Sequence, residues 1–111
     1  MTMYCFALDL VDDPVSISEY EKIHRSVWPE IKTSILESGI EVMDIYRVGN
    51  RLFMIMEVKE GFSFDKKTAA DASNPIVQEW EQLTWKYQQA LPFAAPGEKW
   101  ILMQRIFTLG E

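Results

Sequence analysis

Apolar and polar positions alternate through Tyr4 to Val11, with Tyr4, Phe6, Leu8 and Leu10 on one side and Cys5, Ala7 and Asp9 on the other. A period of two marks a strand with two unlike faces. Asp12-Asp13-Pro14 breaks the pattern as a turn. Ser16-Ile17-Ser18-Glu19 then sets a serine three residues before a glutamate, the capping-box spacing at a helix start. Apolar residues recur at Ile17, Tyr20, Ile23, Val27, Ile31 and Ile35, three or four apart, which predicts a helix. Pro29 cannot donate an amide proton and its ring clashes one turn back. The helix is therefore expected to kink or break between Arg25 and Trp28, to restart with Pro29 in its first turn, and to end at Gly39.

Val42 to Val48 and Leu52 to Val58 read as two strands joined by Gly49-Asn50, whose order suits a two-residue type II′ hairpin. Glu60 to Ala72 reads as a less regular connector with room for a helical turn. Asn74-Pro75 sets a cap before a first-turn proline. Ile76, Val77, Trp80, Leu83, Thr84 and Tyr87 then trace the inner face of a second long helix that Pro92 ends. Phe93 to Lys99 is a loop, and Trp100 to Phe107 a last strand. The order βαββαβ predicts an α+β fold of ferredoxin-like type, an antiparallel sheet with both helices on one face. Leu52 to Val58 is mostly apolar on both faces, and the helices cover only one. A second copy of the chain is the simplest cover for the other, so a homodimer packed sheet to sheet, a dimeric α/β barrel, is expected.

Composition narrows the setting. With 111 residues, 48% hydrophobic and 25% charged, the chain is expected to form a single domain over residues 1–111. One cysteine, Cys5, allows no internal disulfide, and one Cys with one His makes no zinc site unaided, so no metal is expected and a reducing cytoplasm fits best. The first residues lack a basic region and meet Asp9 early, unlike a signal peptide. No apolar run approaches the ~20 residues of a membrane span. The net charge of −6 with scattered Lys and Arg argues against nucleic acid and is compatible with a small neutral ligand.

The candidate chemistry sits in Tyr20-Glu21-Lys22-Ile23-His24-Arg25-Ser26-Val27-Trp28-Pro29-Glu30, which holds the only histidine. Tyr20 and His24 lie one helical turn apart on one face, and Trp28 follows a turn later. An aromatic face can take the apolar side of a pyranose, a phenol can bond a hydroxyl, and an imidazole can move a proton near neutral pH. The plain alternative for His24 is a structural histidine bonded to a carbonyl. A helix ending just after it is expected to favour the imidazolium, raise its pKa and make it a proton donor. Trp80 and Trp85 cannot both point inward, since five residues turn a helix through ~500°. One is expected to face the core and the other the site. Tyr46 and Met56, on adjacent strands, are candidates for the same pocket, with cross-strand packing as the alternative. Glu57, if buried, needs Arg47 or Arg105 as partner. Cys5 reads as a small core residue. No phosphate loop, Ser-His-Asp order or clustered metal ligands are present.

Tyr20-Glu21-Lys22-Ile23-His24 followed by Val27-Trp28-Pro29-Glu30 resembles the signature of the L-rhamnose mutarotase family. The resemblance continues through Glu57, Val77-Gln78-Glu79-Trp80, Trp85-Lys86-Tyr87 and Leu91-Pro92, nearly the whole chain. It implies a dimer of ferredoxin-like subunits that interconverts the α and β anomers of a 6-deoxy-hexopyranose without a cofactor. It also implies His24 as proton donor, Tyr20 as a sugar-binding residue, and Trp80 as the first of a tryptophan pair against the substrate. Glu81 stands where that pair has its second tryptophan, Trp85 falls in an extra helical turn, and Met43 replaces a tyrosine expected three residues before Tyr46. Pro96-Gly97-Glu98-Lys99-Trp100 is similar to members associated with L-fucose. Expected substrate contacts are thus Tyr20, Trp28, Tyr46, Trp80, Glu81 and Trp85. The base at the anomeric hydroxyl is a water, Tyr46 or Glu81. A haem-binding or cofactor-independent oxygenase of the dimeric α/β-barrel type shares the architecture and is the competing expectation.

Overall fold

A computed structural model describes residues 2–110. β1 (Thr2–Leu10) leads to α1 (Pro14–His24), α2 (Pro29–Glu37), β2 (Ile40–Val48), β3 (Arg51–Val58), α3 (Phe64–Ala72), α4 (Pro75–Trp85), β4 (Gln88–Gln89) and β5 (Ile101–Leu102). The sheet order is β2-β3-β1-β4, all antiparallel, with β5 also on β1. This is the expected split βαβ arrangement, with the helices packed on one sheet face.

Local chemistry explains most boundaries. Asp13, not Ser16, caps α1: its Oδ2 accepts from the Ser16 amide at 3.0 Å, and Pro14 starts the helix where a missing N–H costs nothing. The helix therefore begins two residues before the expected capping box. It breaks after His24, and α2 restarts at Pro29, as the proline requires. Asn74 Oδ1 caps α4 by accepting from Ile76 and Val77. Gly49 has φ of 58° and Asn50 does not have positive φ, as a type II′ hairpin demands.

Three expectations change. The supposed connector contains α3, a nine-residue helix capped by Ser63. None of its residues is buried, so it carries no apolar stripe for a periodicity argument to find. The helix expected to run to Pro92 stops at Trp85, because β1 offers an open edge: Val11 donates to the Tyr87 carbonyl at 2.8 Å, and Gln88 and Gln89 pair with Leu10 and Asp9. Backbone pairing to an edge outweighs helix propensity there. The last strand shrinks to Ile101–Leu102. Beyond it Ile106, Phe107 and Leu109 are exposed.

The core lies between sheet and helices. Leu8, Leu10, Ile40 and Leu52 are almost wholly buried, each contributing about 1.5–3 kcal/mol. Leu10 and Leu52 pack with Tyr20 under one end, and Phe6, Met54, Met56, Val58 and Ile40 fill the other. Register decides which side chains can join them. Met43 and Ile45 pair with Met56 and Met54 on the helix-covered face, whereas Tyr46 pairs with Phe53 on the open one. Arg47 points to the helices, where its Nε meets Glu21 at 2.9 Å. Glu57, half-buried on the open face, forms no ion pair among the described residues, so neither expected arginine serves it.

Candidate active site

A cavity of about 600 Å³ opens between the helix-covered sheet face and helices α1, α2 and α4. That is ample for a monosaccharide. Its floor comes from β2 and β3 through Met43, Ile45 and Met54, and its walls carry Tyr20, His24, Trp80, Glu81, Gln88 and Lys99.

α1 brings the first pair together. The four-residue spacing stacks the Tyr20 and His24 rings, with centroids 4.3 Å apart. His24 Nδ1 lies 2.8 Å from the Tyr20 backbone carbonyl. A carbonyl only accepts, so Nδ1 carries the proton and Nε2 is left as the free nitrogen. Burial pushes the imidazole pKa below its ordinary 6.5, and the carbonyl bond offsets this in part. The helix end was expected to raise it, but desolvation in the cavity wall outweighs a dipole effect that solvent weakens. His24 therefore rests neutral at pH 7, with a lone pair on Nε2.

Tyr20 is 4% exposed, and burial raises its phenol pKa, so it keeps its proton. Its hydroxyl oxygen accepts from Gln88 Nε2 at 3.2 Å. Trp80 stands edge-on to His24 with centroids 5.4 Å apart, and Trp28, the residue before α2, braces Trp80 at 5.2 Å. Glu81 follows on the wall beside Lys99, whose pKa burial lowers and the Glu81 charge partly restores. The Lys67–Asp71 ion pair of α3, 2.8 Å long, closes another side.

Of the expected site residues, the structure brings Tyr20, His24, Trp80 and Glu81 to one cavity, with Trp28 behind Trp80. Two do not join them. Tyr46 is 57% exposed on the opposite face of the sheet, because strand alternation turns it away from Met43 and Ile45. It cannot share a pocket with Met56. Trp85 is 38% exposed outside the cavity, under the Lys99 ammonium at 5.1 Å. Sequence reasoning missed Gln88, Lys99, Lys67 and Asp71. The sequence pattern puts the first in a helix and the others in loop or connector; the i, i+4 pairing of Lys67 and Asp71 is the one available signal. Among the described residues no three His, Cys, Asp or Glu side chains cluster to hold a metal ion, and no helix is long and apolar enough to cross a membrane.

Comparison with known proteins points the same way as the cavity. The family model for L-rhamnose mutarotase matches residues 3–109. An L-fucose mutarotase from Xanthomonas campestris is 47% identical, covering 100% of this chain and 90% of its own length. An L-rhamnose mutarotase from Shigella flexneri is 27% identical, covering 87% and 89% respectively. The crystal structure of an L-rhamnose mutarotase from Formosa agariphila superposes with a TM-score of 0.73 at 21% identity, covering 99% of this chain and 100% of that one. At that identity the superposition establishes the fold alone.

Proposed function

The chain belongs to the L-rhamnose mutarotase family, and we propose that it interconverts the α and β anomers of a free 6-deoxy-hexopyranose, with L-fucose as its substrate. The activity makes it a carbohydrate isomerase. The observation that carries the reading is the meeting of His24, Tyr20 and Trp80 on one cavity of monosaccharide size. The choice of L-fucose over L-rhamnose rests on the whole-length 47% relative. It agrees with Glu81 in place of a second tryptophan, since an acceptor there suits a hydroxyl better than an aromatic face does.

Ring opening removes the proton of the anomeric hydroxyl O1, breaks the bond from C1 to the ring oxygen O5, and puts a proton on O5. The open-chain aldehyde rotates about its C1–C2 bond and recloses on its other face by the reverse steps. O1 and O5 are both bonded to C1, so one imidazole nitrogen reaches both. His24 Nε2, unprotonated at rest, takes the O1 proton and returns it to O5. This reverses the order expected of a histidine that starts as the acid. The Tyr20 hydroxyl donates to a sugar oxygen, and Trp80, held by Trp28, packs on the apolar face of the ring. Uncatalysed mutarotation is spontaneous, so the ~10²–10⁴-fold that acid–base catalysis supplies suffices without a cofactor.

The reading includes a homodimer through the open sheet face. Val42, Tyr46 and Val48 are exposed there, and the apolar Ile106, Phe107 and Leu109 lack cover in one copy. Tyr46 belongs to this interface and not to the sugar. NMR saturation transfer between the anomers of L-fucose and of L-rhamnose tests the function. Accelerated exchange, faster for L-fucose, is expected; no acceleration for either sugar refutes it.

A further inference from the structure

Gln88 is 8% exposed, lines the cavity, and spends only half of its amide on the protein. Its Nε2 donates to the Tyr20 hydroxyl oxygen at 3.2 Å, and its Oε1 is buried with no hydrogen-bond partner. Buried amide oxygens are ordinarily satisfied, because leaving one bare forfeits its hydration with no return. A buried, unpartnered acceptor on a residue that lines the cavity, beside a phenol, is satisfied once a ligand donor reaches it.

The donor count gives the phenol a direction. A tyrosine hydroxyl has one proton and two acceptor positions. The Gln88 N–H fills one acceptor position, so the Tyr20 proton cannot turn toward Gln88 and remains to be donated elsewhere. Tyr20 otherwise packs against the apolar side chains of Leu10 and Leu52 and the ring of His24; among the described residues its hydroxyl donates to none of them, and its open side is the cavity. The outcome is a donor, Tyr20 Oη–H, next to an acceptor, Gln88 Oε1. Neighbouring hydroxyls of a pyranose match that pair, one giving a proton and the other receiving one. The two residues are 68 positions apart in sequence and meet only because β4 docks on the edge of β1.

We propose that Gln88 is a specificity-determining residue: its Nε2–H aims the Tyr20 hydroxyl at the substrate, and its Oε1 accepts a sugar hydroxyl beside the one Tyr20 donates to. The proposal rests on the sugar reading of the cavity. It predicts that the enzyme identifies one hydroxyl position through Gln88 and becomes indifferent to that position when Gln88 is lost.

The test pairs Gln88→Met, which keeps length and removes both polar ends, with L-fucose and its 2-, 3- and 4-deoxy analogues. Dissociation constants come from quenching of tryptophan fluorescence, and anomer exchange from saturation transfer on the same samples. Wild type should bind one deoxy analogue about ten- to a hundredfold more weakly than L-fucose, and Gln88→Met should bind that analogue and L-fucose alike. If the two losses multiply for every analogue, or Gln88→Met binds L-fucose as wild type does, the proposal is overturned. Gln88→Asn, which keeps an amide but withdraws it by one methylene, replaces the methionine variant if that one does not fold, with the same outcomes expected. The two readouts separate the failures. Accelerated exchange without the coupling refutes the role of Gln88 and leaves the mutarotase reading. Coupled binding without acceleration refutes the mutarotase reading and supports Gln88. Neither acceleration nor binding refutes both.

Discussion

Replacing His24 by alanine should separate catalysis from stability more cleanly than any other change. The ring is half-buried at the last position of α1, so alanine suits the helix and removes no long apolar side chain. What is lost is one Nδ1 hydrogen bond to the Tyr20 carbonyl and the ring contacts with Tyr20 and Trp80. A single such bond is worth about 0.5–1.5 kcal/mol, so with the packing the total cost is about 1–2 kcal/mol. At roughly 4–8 °C per kcal/mol for a domain of this size, the melting temperature should fall but leave the protein folded at 25 °C. The anomer exchange rate should drop by ~10²–10⁴, the usual worth of a positioned acid or base. Calorimetry gives the first number and saturation transfer the second, on one preparation. A variant that keeps the wild-type rate refutes the assignment of the proton to His24. A variant unfolded at 25 °C refutes the account of its packing.

The same residue makes a pH prediction. His24 is the only histidine, so its ring gives one imidazole signal in a proton–carbon correlation spectrum. Its folded pKa is depressed below 6.5 by burial. Its contribution to stability is therefore fully present above 6.5 and lost as pH falls through the folded value, where the unfolded chain binds the extra proton. The midpoint should lie below 6.5 with the Nδ1–H tautomer above it; a midpoint above 6.5 contradicts the desolvation argument. Leu52→Ala removes a side chain 2% exposed that packs on Leu10 and Tyr20, and should cost about 2–5 kcal/mol by denaturant titration; a loss below 1 kcal/mol would mean that this end of the core is loosely packed. Val48→Lys places a charge on the open sheet face at a residue 77% exposed in one copy, and should turn a dimer into a monomer by light scattering with the protomer's circular dichroism unchanged. A wild type that is already monomeric, or a variant that stays dimeric, rules out the sheet-face interface.

Much of the fold was legible because it is written in near neighbours. The alternation of β1, the break before Pro29, the Asn74-Pro75 helix start and the Gly49-Asn50 hairpin each depend on residues within a few positions of one another. Their physics is steric exclusion, capping and side-chain period. The stacking of Tyr20 on His24 belongs to the same class, since helical spacing alone brings them together. The sequence could also state that Trp80 and Trp85 diverge, though not which of them meets the cavity.

Tertiary structure decided the rest. Whether Tyr46 faces the cavity or the open side of the sheet depends on a register in which it pairs with Phe53, one residue past Ile45 and three past Met43, and so on the opposite face from both. Whether Gln88 ends a helix or joins a site depends on an open edge of β1 some eighty residues earlier in the chain. The resting charge of His24 is decided in the same way: the local helix end argues for the imidazolium, and burial against distant Trp80 argues more strongly against it. Hydrogen-bond direction, burial and register are properties of pairs far apart in the chain, so they come into being only when sheet and helices close on each other.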